Sequence, residues 1–191
     1  MKKMRTIIAA VLACATALSF TGCSNAKKLQ DEDFFYEALD KGAKIDEDDC
    51  YHEKNTYANG DKVEYMIVAR DGDNYYSYLR FKDADDAMDY FEDSFYDSFS
   101  EAIEDDEFEG YHKNAVTKHS ATVVFSGELE DSTPLYFYYT SFYSYSDTEF
   151  YGGVFVVDNV YIEVFSVDGS KRDKEKIDNV LKSLGFPRPQ K

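Results

Sequence analysis

Carboxylates are the most concentrated chemically active groups in this chain. Residues 83–107 hold twelve Asp or Glu and not one Lys or Arg. Acidic residues recur there every four positions, at Asp85, Asp89, Asp93, Asp97, Glu101 and Asp105. On a helix this spacing aligns side chains along one face, where they attract a basic protein or loosely held divalent cations. We take Asp89, Asp93, Asp97 and Glu101 as candidate binding residues. The alternative is a solvated face that keeps the chain soluble.

Other clusters of possible ligands do not match a known site. The stretch "DEDDCYHE", residues 46–53, offers carboxylates, Cys50 and His52, yet its spacing fits no zinc pattern. "DGDN" at residues 71–74 opens like a calcium loop, but the twelfth position is Lys82, so we expect a hairpin turn. The three histidines accompany no catalytic motif. We therefore predict no catalytic residue, no metal ligand and no cofactor.

A second candidate surface is the aromatic stretch "LYFYYTSFYSYSDTEFYGG", residues 135–153. In a strand from Leu135 to Tyr145, both faces would be aromatic, so some rings should be exposed. Exposed Tyr rings can stack on sugars or contact a partner. The candidate residues are Tyr136, Tyr138, Tyr143, Tyr145 and Tyr151. The alternative is that these rings stack across strands for stability.

Hydrophobic periodicity predicts the elements that position these groups. Helices are expected at residues 31–41, 83–103 and 171–184, and a hairpin at 61–81. Further strands are expected at residues 120–127, 135–145, 149–157 and 160–167. Residues 43–60 are polar and predicted as a loop. The pattern indicates an α+β fold, with an antiparallel sheet of about six strands and helices packed on one face, a two-layer sandwich.

Local signals define two of these elements more closely. Asp158-Asn159 is a two-residue turn that should pair Val157 with Val160 and Phe155 with Ile162. The last helix should begin after Ser170 as N-cap and end at Gly185.

The first residues have the composition of an export signal. Lys2, Lys3 and Arg5 precede an uncharged apolar run from Ile7 to Phe20, which is too short to span a bilayer comfortably. The run ends in Phe20-Thr21-Gly22-Cys23, and this sequence resembles the lipobox of bacterial lipoprotein precursors. The resemblance covers only about the first 25 residues.

The resemblance implies that the Cys23 thiol receives a diacylglyceryl group and that cleavage occurs just before it. Residues 1–22 would then be a lipoprotein signal peptide, 23–30 the lipidated cysteine with a polar tether, and 31–191 a single domain. Fully extended, Ser24 to Gln30 would reach about 24 Å. The alternative is cleavage after Ala15-Thr16-Ala17, which would release a soluble protein beginning at Leu18.

The net charge and the cysteine content restrict which functions are possible. Loss of residues 1–22 removes three positive charges, so the net charge of −17 becomes −20. Such a chain lacks the clustered Lys and Arg with which nucleic-acid-binding proteins bind phosphate. Cys14 leaves with the leader and Cys23 would be lipidated, which leaves Cys50 as a lone thiol and excludes an intrachain disulfide.

Together these features predict an extracytoplasmic protein anchored to the cell membrane by acyl chains. Its expected role is a non-catalytic binding or interaction module of the cell envelope, with a basic protein as partner. The first alternative is a small-ligand or glycan-binding lipoprotein that uses the Tyr-rich surface. The third hypothesis is an enzyme, with a hydrolase as the default.

Overall fold

A computed structural model describes residues 22–130, 134–137, 140–143 and 148–190. Its centre is a seven-stranded, fully antiparallel sheet in the order β1-β2-β3-β9-β8-β5-β4. The strands are β1 (Tyr51–Ala58), β2 (Asp61–Asp71), β3 (Asn74–Arg80), β4 (Phe108–Thr117), β5 (Ser120–Leu129), β8 (Thr148–Val157) and β9 (Val160–Val167). A separate hairpin consists of β6 (Pro134–Phe137) and β7 (Thr140–Tyr143).

The described helices are α1 (Gly22–Leu29), α2 (Glu32–Ala43), α3 (Ala84–Phe91), α4 (Asp97–Glu104) and α5 (Lys171–Leu184). One turn of π-helix, Glu92–Tyr96, joins α3 to α4, and a short 3-10 turn spans Glu47–Asp49. The α+β class is confirmed.

Helices cover both faces of the sheet, so the prediction of a two-layer sandwich with helices on one face is wrong. On one face, α3 and α4 bury Phe91, Phe95 and Phe99 against sheet residues such as Phe125. On the other, α2 and α5 bury their apolar sides against alternate residues of the same strands. The physical reason is that the central strands carry apolar side chains on both faces of the sheet. Both faces must therefore be covered by other elements.

The β8-β9 hairpin follows the predicted register. Val157 lies opposite Val160 and Phe155 opposite Ile162. Asp158 takes a positive φ of 57°, which a short polar side chain tolerates in a two-residue turn. "DGDN" is likewise a hairpin turn, in which Asp71 pairs with Asn74.

Two strands were missed and one was placed wrongly. β1 lies in the stretch predicted as a loop, and β4 was not predicted at all. Both are edge strands with mostly exposed side chains, so neither shows apolar alternation. The predicted strand from Leu135 to Tyr145 is instead the β6-β7 hairpin, in which Phe137 pairs with Thr140.

The predicted tether at residues 23–30 is also wrong as a description of this segment. Residues 22–29 form α1, and Leu29 at its end is 1% exposed. The Tyr78 hydroxyl donates a hydrogen bond of 2.9 Å to the Leu29 carbonyl oxygen. Burial of Leu29 and this hydrogen bond hold the end of the segment on the domain. Among residues 22–190, no described helix is long and apolar enough to cross a bilayer.

Helix ends follow from local chemistry. Ser170 and Asp173 form the capping box of α5, and Gly185 ends the helix at a φ of 84°. For α2, the predicted end at residue 41 is two residues short, because Lys44 takes the left-handed conformation that ends the helix. Gly42 is needed for packing: a Cβ there would lie 2.6 Å from the Val180 backbone nitrogen in α5.

We predict that Gly42→Ala destabilises the protein. A Gly-to-Ala change inside a helix normally stabilises it by about 1 kcal/mol. Here the new methyl group would push α2 away from α5, at a cost of about 1–3 kcal/mol and a fall in Tm of roughly 3 to 10 °C. Thermal unfolding of Gly42→Ala and of the exposed control Asp40→Ala measures the difference. A Tm of Gly42→Ala at or above that of the wild type would contradict the close packing of the two helices.

Candidate functional site

The predicted acidic row lies on the helical segment formed by α3, the π turn and α4. Its apolar side is buried, with Phe91, Phe95 and Phe99 each at most 1% exposed and Ile103 packed at the margin. The Phe95 and Phe99 rings stack with centroids 5.2 Å apart, and both contact Phe125 of β5. This aromatic contact fixes which side of the segment faces water.

The opposite side carries the candidate acids. Asp89, Asp93, Asp97 and Glu101 are all exposed. We call these residues, with the adjoining Glu104 and Asp105, the acidic surface. Among the described residues, no Lys, Arg or His lies within ion-pair distance of any of them. The structure therefore brings the four predicted acids onto one face.

Within the part of the chain that the structure describes, only the amino-terminal end of the row has basic neighbours. Asp85 lies 3.8 Å from the Lys118 Nζ and 3.6 Å from the His119 Nδ1. The acidic surface beyond it depends on water and salt to screen its charges.

A depression of about 560 Å³ follows the α4 part of the acidic surface. Its lining consists of Tyr96, Asp97, Ser100, Glu101, Glu104 and Asp105. The Tyr96 hydroxyl accepts a hydrogen bond of 3.1 Å from the Asn114 amide of β4, so the ring is held between helix and sheet edge. The depression is open to water and lined by carboxylates, so it suits a cationic side chain better than an apolar ligand.

The carboxylates do not converge on a point. In the part of the chain that the structure describes, no three His, Cys, Asp or Glu side chains are grouped as metal ligands. The spread of the acidic surface favours diffuse attraction of cations over coordination of one ion.

Four of the five tyrosines of the Tyr-rich candidate have side chains outside the described residues. Tyr136 lies on β6 and Tyr143 lies on β7, but their side chains are outside the described residues. Tyr138 and Tyr145 are outside the described residues altogether. Tyr151 is described, and its prediction as an exposed binding residue is wrong. Its ring is 2% exposed and its hydroxyl donates a 2.7 Å hydrogen bond to Asp178 of α5. It is buried because the second helical layer covers this face of β8.

Cys23 belongs to α1 by its backbone, and its side chain lies outside the described set. Cys50 is half-buried beside the 3-10 turn. Its thiol lies 3.5 Å from the Asp46 carbonyl oxygen. Burial, and then the charges of Asp49 and Glu47, raise the pKa of the Cys50 thiol to about 11. At neutral pH it is a thiol, which is a poor nucleophile.

The histidines are not brought together. His52 lies on β1 at one edge of the sheet, stacked on Tyr65, whereas His112 lies on β4 at the opposite edge. His52 and His112 therefore do not share a site.

The sequence analysis missed a buried acid, Glu163. Glu163 of β9 is fully buried in the layer under α3, and its Oε1 accepts a 2.6 Å hydrogen bond from the Tyr161 hydroxyl. Burial, and then the neighbouring carboxylate, raise the pKa of Tyr161 well above its usual value. The Tyr161 ring meets Tyr90 edge to face, and Asn59 donates to the Tyr90 hydroxyl. The sequence signal was an acid in the middle of an apolar strand, "VYIEVFSV".

The acidic surface can thus attract cationic groups over a broad area, and the described residues hold no cluster of three metal-ligating side chains. Comparisons of the chain with protein-family models, curated proteins and solved structures found no match.

We predict that repulsion within the acidic surface lowers stability. Neutralising two central members, with Asp93→Asn and Asp97→Asn together, removes like-charge pairs worth about 0.5–1.5 kcal/mol in all. The Tm at low salt should rise by roughly 1 to 5 °C. The gain should largely disappear at about 1 M salt, where the Debye length is about 3 Å.

The matched control is Asp85→Asn, in the same row but beside Lys118 and His119. It should give no gain, because its charge is already compensated. An equal gain from the control, or one that persists in high salt, would contradict the repulsion.

We predict that Cys50 reacts slowly with iodoacetamide. With its pKa at about 11, only about one thiol in a thousand is ionised at pH 8, against roughly one in four for an ordinary cysteine. The rate should therefore be about 250-fold below that of a cysteine peptide, and should rise about tenfold per pH unit. Glu47→Gln with Asp49→Asn should speed the reaction, whereas Asp40→Asn should not. A rate at pH 8 equal to that of the free peptide would refute the raised pKa.

Proposed function

We propose that this chain is a lipid-anchored extracytoplasmic protein that binds a basic partner through the acidic surface and catalyses no reaction. The observation that carries the proposal is that no basic side chain among the described residues lies within ion-pair distance of Asp89, Asp93, Asp97 or Glu101. Several exposed or half-buried acids on other elements of the described chain do have a basic neighbour. Examples are Glu37 with Lys41, Glu32 with Arg80, Glu149 with Lys174 and Asp71 with Lys176.

The energetics favour a partner that brings positive charge. Aligned carboxylates repel one another, and a docked row of Lys or Arg side chains would remove that repulsion. Complementary charge chiefly accelerates encounter and fixes orientation, and its effect weakens as salt increases. A solvated face that only maintains solubility remains the competing explanation, and it predicts no partner.

The anchor is the second part of the proposal. It rests on the lipobox-like sequence that ends at Cys23. One acyl chain binds a bilayer only marginally, whereas two or three make attachment durable. Attached in this way outside the cytoplasm, the protein would meet its partner at the membrane surface.

The alternative of a small-ligand or glycan site depends on Tyr136, Tyr138, Tyr143 and Tyr145, whose side chains lie outside the described residues. With Tyr151 buried, the described part of that surface offers no ring to a ligand. We therefore place the acidic surface first.

Zero-length cross-linking with a carbodiimide tests the proposal, because it joins a carboxylate to a lysine amine in direct contact. In intact envelope membranes, we predict a cross-linked partner whose lysine is joined to the Asp89–Glu101 segment, identified by mass spectrometry. The variant Asp89→Asn, Asp93→Asn, Asp97→Asn, Glu101→Gln should lose it. High salt during the reaction should reduce it as well.

A charge-matched control separates this surface from net charge. Asp40→Asn, Asp48→Asn, Asp61→Asn and Glu175→Gln together remove the same number of exposed acids from other elements. This control should keep the cross-link. If both variants lose it equally, or if no cross-link maps to the segment, the acidic surface is not the binding site.

A further inference from the structure

The chain immediately after Cys23 is docked on the folded domain. The Asn25 side-chain amide donates a 3.2 Å hydrogen bond to the Leu184 carbonyl oxygen at the end of α5. At the other end of the segment, the Arg80 guanidinium donates a hydrogen bond of 2.9 Å to the Gln30 carbonyl oxygen and one of 2.7 Å to the Glu32 carboxylate. With Leu29 buried between them, residues 25–30 are held at several points.

Docking of Asn25 limits the distance between the anchor and the domain. Cys23 precedes Asn25 by two residues, so even an extended chain separates their Cα atoms by only about 7 Å. A free polar tether over residues 24–30 would have allowed about 24 Å. Acyl chains on Cys23 would therefore project from the protein surface next to α1 and the last turn of α5.

The charges around this point suit a membrane surface. Lys27 and Lys28 of α1 and Lys182 of α5 are exposed there. Asp31 and Asp33 at the start of α2 carry the opposite charge, and the Asp31 side chain is engaged as the cap of its own helix. The local balance is thus mildly basic, in contrast to the strongly acidic chain as a whole.

The acidic surface lies on the other side of the sheet. α2 and α5 pack on one face of the sheet, whereas α3 and α4 pack on the opposite face. An anionic bilayer attracts lysines and repels rows of carboxylates. Electrostatics and the position of the anchor therefore favour the same orientation, with α1 and α5 toward the bilayer and the acidic surface away from it.

We infer that the anchored protein rests on the bilayer through one defined surface, formed by α1 and the carboxyl-terminal end of α5, with the acidic surface turned toward the aqueous phase. The inference rests on the proposed lipidation of Cys23. It deepens the proposed function, because a basic partner would then approach from the aqueous side. The occupant of the α1 and α5 surface is a lipid bilayer with anionic headgroups.

Energy transfer to the membrane tests this orientation. In the full chain, matured in a bacterial host and carrying Cys50→Ser, a donor dye is attached at Lys182→Cys or at Asp97→Cys. The proteins are reconstituted in vesicles of equal parts phosphatidylcholine and phosphatidylglycerol that contain an acceptor lipid. Transfer from position 182 should be several-fold higher than transfer from position 97.

A linker variant serves as the matched control. A Gly-Ser insertion of about 15 residues between Ser24 and Asn25 adds a reach of about 20 Å while leaving the docking of Asn25 intact. The difference between the two positions should shrink markedly in this variant. Equal transfer from both positions in the native chain, or a difference that the linker does not reduce, would overturn the fixed orientation.

Vesicle flotation distinguishes the two levels of failure. If the protein does not float with vesicles, the anchor itself is wrong and the orientation falls with it. If the protein floats but gives equal transfer, only the orientation is overturned, and the acidic surface remains testable by cross-linking.

Discussion

The fold depends on the burial of its central strands on both faces. In β3, Tyr76 and Tyr78 lie in one apolar layer, while Tyr75 and Leu79 lie in the other. A sheet whose residues are apolar at both parities cannot leave either side in water without a large loss of hydrophobic stabilisation. One helical layer is therefore insufficient. The chain meets this requirement by placing α2 and α5 on one face and α3 with α4 on the other.

This constraint also separates the two surfaces on which the functional proposal depends. The helix that carries the acids must bury its Phe row against Phe125, so its carboxylates face water on that side of the molecule. The segment after Cys23 packs with α5 in the opposite layer. The sheet thus stands between the proposed anchor and the acidic surface. Binding of a basic partner would not compete with the bilayer.

The sequence was most informative where local chemistry decides the structure. The α5 helix, its Ser170 cap and the β8-β9 register followed from short-range signals, because caps and two-residue turns depend on few neighbours. β1 and β4 were missed because edge strands need no apolar alternation. Their pairing partners, β2 and β5, supply the stabilisation that their own composition does not.

The candidate site was predictable in part for the same reason. The acids at residues 89–101 were found because one helix face can be deduced from spacing alone. The lack of basic neighbours around these acids among the described residues could not be predicted from spacing, since it depends on which strands surround the helix. Tyr151 was misplaced because the second helical layer was not foreseen, and Glu163 was missed because burial of both faces makes its position internal. The packing of α1 on α5 required a contact between residues far apart in sequence, Asn25 and Leu184.

The central claim is that a membrane anchor at Cys23 holds this domain at the cell surface. Intact mass spectrometry of the protein extracted from the membrane fraction tests it most directly. The account predicts a mature chain that begins at Cys23 and carries the mass of a diacylglyceryl group. A chain that begins at Leu18, with residue 23 unmodified, would contradict it.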